Sequence, residues 1–592
     1  MTAKNIIDAH AETVGSLITF SSNKHTIMVP EYQRSYRWDP SRVDDLLKLS
    51  DPDNVAFGFI GTMVFVKNSD GKLEVVDGQQ RLLSIIVALC AFRDFLKEYL
   101  AIAKLDQDVS SMLEEMLMDI QKDQLYDRKS YSNVDGTARI AFKRASYGAF
   151  RDSYLLGQQG DWRGDDEIKK ELLIFHKNYE SAKKYFNQKY PTIGRGTVKL
   201  LSMRLEKLMG LMVNTIYITR EEYAGEVFES INGTGVNLRL SELVKNYIYR
   251  NLSEESARRK WNQIQLNCQN KDEYMEMLIK YDWQSKFDIG DEYEIFRSIR
   301  NQITDINVYT DRLLHISNIL SFYLDPNQDR FKKLKLKDNA NDKNHIVKYA
   351  EVLRILDVRQ FLRLVFALDT VIEQVSIKDY VKLLELIVNF QVRAKVSKTG
   401  SNFVDDMYSS LAKSIHKLSE EKGNDKIDQR IRTELFDRLR STMQKLNSDE
   451  EFEDAFARFS RTKSTKKQLF KYLLAEIENS LQRRELHIDI KNNHITLEEI
   501  YPQNPSDDWK GSCSSDDTYR LSNATILADG DNRKATNDVM SKKIEVYKES
   551  ELKVNQQLVV LAMKGGTSWT SDKIRDRGVT LAEIARGIWR IK

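Results

Sequence analysis

Within the run Glu74-Val75-Val76-Asp77-Gly78-Gln79-Gln80-Arg81-Leu82, Asp77, Gln79, Gln80 and Arg81 bring a carboxylate, two amides and a guanidinium together around one tight turn. Asp-Gly is a turn signal, Leu73, Val75 and Val76 before it read as a short buried strand, and Leu82 to Leu89 after it is apolar enough for a buried helix. Gly78 to Arg81 is therefore expected at a helix N-terminus, where free backbone N–H groups favour an anion. Gly78 lets the backbone approach closely, and Arg81 adds a planar, permanently charged fork. This chemistry suits a polyphosphate or nucleotide: Asp77 can hold a metal or orient water, Gln79 and Gln80 can bond phosphate oxygens, and Arg81 with Arg34 can neutralise charge on a transferred phosphoryl group. The plainer reading is an Asp-Gly turn with Arg81 in a surface ion pair.

The elements that would position this turn lie on either side of it. Val29-Pro30-Glu31-Tyr32-Gln33-Arg34-Ser35-Tyr36-Arg37-Trp38 places three aromatics, two arginines and an amide after an extended X-Pro step. An amphipathic stretch with Val43, Leu46, Leu47 and Leu49 predicts a helix, and Phe57 to Val66 predicts a strand entered through Gly58 and Gly61. Leu211 to Ile218 reads as a strand rejoining the same sheet, with a helical excursion between Leu82 and Lys207. Phe228 to Asn246 reads as helix, Asn-Gly-Thr-Gly turn and a second helix capped by Ser241, with Glu242 in its first turn. Asn232 and Lys245 can complete the pocket, or simply belong to a helix-turn-helix connection with a solvated lysine. Tyr32, Tyr36 and Trp38 either line the pocket and read a modified base or backbone, or pack a core corner.

In order and spacing, Pro30-x-Tyr32-Gln33-Arg34-x-Tyr36-x-Trp38, the Gly58 and Gly61 strand entry, Asp77-Gly78-Gln79-Gln80-Arg81-Leu82 and Val227 to Leu238 with Ser241 to Asn246 resemble the N-terminal domain of GmrSD-type, modification-dependent restriction proteins and their phosphorothioate-sensing relative SspE. The resemblance implies a ParB/sulfiredoxin-like α+β core that binds and hydrolyses a nucleoside triphosphate (ATP, GTP or UTP), with Tyr32, Gln33, Arg34, Gly78, Asn232 and Lys245 as nucleotide-binding residues and Asp77, Gln79, Gln80 and Arg81 as catalytic ones.

The resemblance continues at the C-terminus, where the family carries an HNH-like (ββα-metal) nuclease domain with a Glu-His-Ile-x-Pro-Gln-Asn strand end, Gly-Asn-Leu-Thr-Leu and a later asparagine. Here the matching stretches are Ile495 to Asn504, then Arg520 to Leu527, then Asn532 and Asn537, Lys542-Lys543, Tyr547, Ser550, Trp569-Thr570, Ile574 and Arg577. The match implies Glu498 and Asn532 as ligands of Mg²⁺ or Mn²⁺, with Glu499 and Asn523 at the catalytic positions. Two departures stand out: the family's histidine falls on Glu499, and Ser522 precedes Asn523 where glycine is usual. An exposed carboxylate with a pKa of about 4.3 is a weaker base than imidazole, so a loss of rate of about tenfold or more is expected. Glu499 can instead serve as an extra metal ligand. His494, expected on the preceding strand, would need a register change to replace the missing base. Both an active nuclease and a degenerate domain kept for DNA binding or packing follow from these residues.

Composition limits the remaining possibilities. A chain of 592 residues exceeds one hydrophobic core, and the boundaries read as 1–250 for the sensor domain, 251–475 for a helical region and 476–592 for the nuclease-type domain. A net charge of +3 excludes a bulk polycation, so nucleic-acid contact would use local patches. Candidates are Lys332 to Lys337, Arg393 with Lys395 and Lys398, and Arg461 to Lys467, each otherwise a solvated face. Cys90, Cys268 and Cys513 are too widely spaced for a zinc site or a disulfide framework. Neither a signal peptide nor a membrane span is recognisable.

With only 7 prolines, long stretches lack breakers, and Leu83 to Leu100, Ala350 to Val371, Tyr380 to Ala394 and Gln468 to Leu481 read as helices. Gln121 to Asp135, Gly157 to Gly164 and Lys337 to Asn344 read as exposed loops. The fold expected is α+β and predominantly helical. The function that the resemblance implies is that of a cytoplasmic bacterial defence protein, in which nucleotide turnover in the sensor domain controls a DNA nickase or nuclease against foreign or modified DNA. The alternative is a nuclease-degenerate sensor or scaffold acting with a partner from a defence operon. A ParB-like partition protein is a weaker third reading, since no basic recognition helix is evident. A homo-oligomer is compatible with each.

Overall fold

The apolar alternation that predicts strands over 57–66, 73–76 and 211–218 is realised in one mixed sheet. The computed structural model describes residues 7–18, 27–30, 33, 35–55, 58–67, 72–102, 105–125, 140–142, 145–155, 166–192, 194–219, 239–287, 290–334, 336, 340–420, 430, 432–461, 467–482, 494–506, 509, 512–528 and 539–591. Tyr32, Arg34, Asn232, Asn532 and Asn537, and the expected loop 157–164, lie outside the described residues. The chain forms two compact units, Met1–Asn246 and Tyr247–Lys592. The boundary expected at 475/476 falls within the second of them.

In the first unit the strands are β1 (Ile7–Thr13), β2 (Ile27–Val29), β3 (Phe59–Lys67), β4 (Leu73–Asp77), β5 (Ile140–Phe142) and β6 (Met212–Ile218), in the order β1-β6-β3-β4-β2-β5. As expected, β6 rejoins the sheet: it pairs parallel with β3 and antiparallel with β1. β3 and β4 pair antiparallel, with a register shift between Val64 and Phe65, and β2 runs parallel to β4.

Three helices matter for this unit: α1 (Pro40–Leu49), α2 (Gln79–Ile102) and α3 (Asp166–Lys189). α1 starts at Asp39, whose carboxylate accepts from Ser41 N at 2.9 Å, with Pro40 in its first turn. α2 is apolar on nearly all sides from Leu82 to Phe92, and each of these side chains is buried, Ser84 included, its hydroxyl donating to Gln80 O at 2.8 Å. A helix hydrophobic all round belongs inside a core. Its aromatics stack on α3, Phe92 on Phe186 at 4.8 Å between ring centroids.

Arg204 fixes the far side of this core. Its guanidinium, 1% exposed, donates to Leu47 O at 2.8 Å, Asp51 Oδ2 at 2.7 Å and Tyr190 Oη at 2.8 Å.

The second unit includes α4 (Ile377–Ser397), α5 (Asp449–Ala457), α6 (Lys467–Leu481), α7 (Met540–Glu549), α8 (Lys553–Met563), α9 (Ser571–Ile588) and the antiparallel pair β7 (Ile495–Glu499) and β8 (Ala524–Ala528), on which α6 and α8 pack. α5 packs on both α4 and α9, so the helical stretch and the strands share one body.

Several sequence expectations need correction. Residues 350–371 are not one helix: helix Ala340–Leu356 ends at Asp357, whose φ is +58°, and helix Leu362–Leu368 follows. Lys337 to Asn344 is not wholly a loop, since that first helix begins at Ala340, and Gln121 to Leu125 continues a helix as a wider π-turn. Ser241 is not a cap but a buried residue inside helix Leu240–Asn251, whose first turn bonds back to the Arg239 carbonyl. Arg393 faces no groove: it is 1% exposed and donates to Asn447 Oδ1 and Asp449 Oδ1. Lys333 reaches Ser321 Oγ at 3.1 Å.

Arg204→Ala leaves the Asp51 carboxylate and the Leu47 carbonyl short of a buried partner. It is expected to cost about 3 kcal/mol, read as a lower urea midpoint for the first unit.

Candidate functional site

The turn singled out in the sequence sits where β4 meets the first residue of α2, as expected. Gly78 has φ +89°, and a Cβ there would stand 2.6 Å from Met63 Cγ of the neighbouring strand, so the left-handed turn and the close approach both require glycine. Gly61, with φ +99°, plays the matching part on β3: the Arg81 guanidinium lies over it, with Nε 3.1 Å from where a Cβ would be. Arg81 NH1 donates to Thr62 O at 2.9 Å, so β3 fixes the direction of the fork. Asp77 is half-buried and stands opposite Val64 in the ladder.

The glutamines divide differently from expectation. Gln80 is buried, its Oε1 accepting from Arg37 N at 2.8 Å and its Nε2 donating to Ser35 O at 3.1 Å. Gln33 Nε2 donates to Val75 O at 3.0 Å and Val76 O at 2.8 Å. Both amides therefore clamp Gln33, Ser35 and Arg37 onto β4 and α2, and so shape the turn. Gln79 is buried beside them. Tyr36 is wholly buried, stacked on Phe175 at 4.4 Å, with its hydroxyl 2.7 Å from Ser84 Oγ. It is a core residue and cannot read a base. Lys245 is half-buried on helix Leu240–Asn251. Asp77, Gly78 and Arg81, with Gly61 and Thr62 beneath, are the part of the expected pocket that the described residues bring together at one place. Sequence reading overlooked Thr62, Ser84 and Arg37, which act through backbone or hydroxyl groups that carry no motif.

In the second unit β7 and β8 pair Glu498 with Thr525 and Glu499 with Ala524. His494 lies in a turn just before β7, not on a preceding strand. Glu498 Oε1 is 2.6 Å from Lys543 Nζ, which also donates to Glu499 O at 2.8 Å. Burial raises the Glu498 carboxyl above its ordinary value, against the opposing pull of the ammonium. The neighbouring carboxylate, turned to the other face by strand alternation, accepts at Oε1 from Arg461 NH2 at 3.0 Å and Gln503 Nε2 at 2.6 Å.

Asn523, expected at a catalytic position, is fully buried. Its Oδ1 accepts from Tyr501 N at 2.9 Å and Trp569 Nε1 at 3.0 Å, and its Nδ2 donates to Tyr501 O and Thr518 O, both at 2.9 Å. All four capacities of the amide are used within the fold, and the chain reversal after β7 hangs on them. Arg577 stiffens the same corner, donating through NH1 to Ser522 O and Ala524 O at 2.7 Å each, and burial lowers its pKa to about 10.

A divalent ion is the cofactor to test against this corner. Its donor set does not suit one: an ammonium already stands against Glu498, a guanidinium against Glu499, and among the described residues no three His, Cys, Asp or Glu side chains converge. Asn532, the other expected ligand, lies outside them. Asn523→Ala would strand two N–H groups and two carbonyls, at an expected cost of about 3 kcal/mol, seen as a lower melting temperature of the second unit.

Two family models match the chain. That of the GmrSD restriction endonuclease N-terminal domain covers residues 14–249, and that of the GmrSD restriction endonuclease C-terminal domain covers residues 446–584. Comparison with curated proteins gives no match. The first model takes in the Gly61, Gly78 and Arg81 crossing and the second the β7–β8 corner, in the order in which the motifs occur. The chain thus belongs to the GmrSD-type restriction endonuclease family.

Proposed function

We propose that this protein restricts foreign or modified DNA in defence against phage, with an NTP-dependent sensor in its N-terminal unit and an HNH-like module near its C-terminus. Family membership supports the coarse reading, a nuclease acting on DNA. The observation that carries the finer one is the Arg81 fork, held over Gly61 by Thr62 at the first turn of α2 beside Asp77. A triphosphate laid across this turn meets a guanidinium, helix N-terminal N–H groups and a carboxylate able to orient water or a metal. In this reading Arg81 and Asp77 act on the phosphates, while Gln33 and Gln80 position the loop. Arg34, Tyr32, Asn232 and Lys245 are proposed as further nucleotide contacts, and turnover licenses the C-terminal module.

The nucleotide is ATP, GTP or UTP, and Mg²⁺ or Mn²⁺ accompanies it. The cytosol is the proposed compartment. Among the described residues no helix is long and apolar enough to cross a membrane.

A second reading is favoured by one feature of the C-terminal corner. Glu499, in the place of the family's histidine, is already bonded through Oε1 to Arg461 and Gln503, so two contacts would have to break before that oxygen engaged a water. The module in that case binds DNA or a partner protein without cutting.

The test is cleavage of modified and unmodified DNA by the whole chain with Mg²⁺ or Mn²⁺, with and without each NTP, together with phosphate release. NTP-stimulated cutting supports the first reading, and phosphate release without cutting the second. Arg81→Ala is expected to lower NTP turnover by at least about a hundredfold while leaving the circular dichroism spectrum intact; unchanged turnover would remove Arg81 from the pocket.

A further inference from the structure

We propose that Lys543 is the resident cation of the C-terminal corner, standing beside Glu498 where the family resemblance puts a divalent metal, so that Glu498 is an ion-pair anchor rather than a metal ligand. The inference concerns where a cation sits and holds whether or not DNA is cut.

Lys543 is 1% exposed at its side chain, and Nζ makes two short contacts, to Glu498 Oε1 at 2.6 Å and to the Glu499 carbonyl at 2.8 Å. A carboxylate and a backbone carbonyl are also the oxygen pair that a hard divalent ion would take. The ammonium thus uses the same donors, at hydrogen-bond rather than coordination distance. It cannot easily leave. α7 delivers it from a core face on which Met540, Ile544 and Tyr547 are all buried, so withdrawing the lysine means moving the helix. A metal ion on Glu498 would therefore sit within a few ångströms of a fixed positive charge in a water-poor environment, where like charges repel strongly.

The second carboxylate gives no way round this. Glu499 faces away from Glu498 along the strand and is bonded to Arg461, itself anchored by Arg461 N donating to Tyr519 O at 2.8 Å. Each acidic residue of the β7 end thus has its own protein cation. The pair Glu498–Lys543 ties β7 to α7.

The experiment counts Mn²⁺ bound per whole chain, by the loss of the free-ion paramagnetic resonance signal, in the wild type, Glu498→Gln, Lys543→Met and the double variant, with melting temperatures alongside. The expected result is equal Mn²⁺ binding by the wild type and Glu498→Gln. Lys543→Met should melt lower, gain one Mn²⁺ per chain and recover part of its melting temperature with that ion, and lose both gains when Glu498→Gln is added. A wild type that loses one Mn²⁺ on Glu498→Gln would overturn the proposal, as would a folded Lys543→Met that gains none. If Lys543→Met does not fold, the comparison of wild type with Glu498→Gln decides alone.

Discussion

The first unit depends on a close approach between β3 and the start of α2 that side chains at two positions would prevent. Gly61 and Gly78 both hold positive φ, and each gives up its Cβ volume to a neighbour, Arg81 in one case and Met63 in the other. Because both are needed, the turn cannot be relaxed at one position without moving the other: the arginine is fixed by a strand, the strand by its ladder, and the ladder by the buried helix that follows. Gln33 and Gln80 then close the arrangement from the third side by bonding the 33–37 segment to backbone groups of β4 and by receiving from it. A guanidinium fixed in this way has little conformational freedom left, which is the physical content of preorganisation.

The sequence made the frame of this site legible and misassigned some of its parts. Asp-Gly between an apolar strand and an apolar helix has few other meanings, and the helix start at Gln79 followed from it. The glutamines were harder to assign, because an amide serves a phosphate and a backbone carbonyl equally well, and only the fold reveals that the 33–37 segment lies within reach. Tyr36 was ambiguous for the same reason: its burial against Phe175 depends on α3, more than a hundred residues away in the chain. The break at Asp357 left no trace in the apolar periodicity, since Ala350 to Val371 keeps helical spacing across a residue that adopts the left-handed region. Arg393 misled through charge alone; a long basic side chain carries no sign of whether a carboxylate such as Asp449 waits for it inside the fold.

The C-terminal corner follows a different logic, in which hydrogen bonding replaces close approach. Asn523 satisfies four partners at once and Arg577 holds the carbonyls on either side of it, so the backbone after β7 is fixed by side chains rather than by regular structure. A motif asparagine can be required for such a reason without touching substrate, and the family frame was visible in sequence because the scaffold needs these residue types.

Strand alternation settles the electrostatics of the same corner. Consecutive glutamates on a strand point to opposite faces, so Glu498 and Glu499 cannot share one cation through their side chains. Each needs a separate partner, and Lys543 and Arg461 meet that need. A neutral imidazole at position 499 would leave the Arg461 guanidinium without its carboxylate, whereas glutamate completes the pair and adds an acceptor for Gln503. The residue that departs from the family's chemistry is thus the one that its surroundings in this chain accommodate best. The same contacts that hold Glu499 in place occupy its Oε1, so stabilisation of this strand end and access of a water to that oxygen are opposed by the same pair of hydrogen bonds.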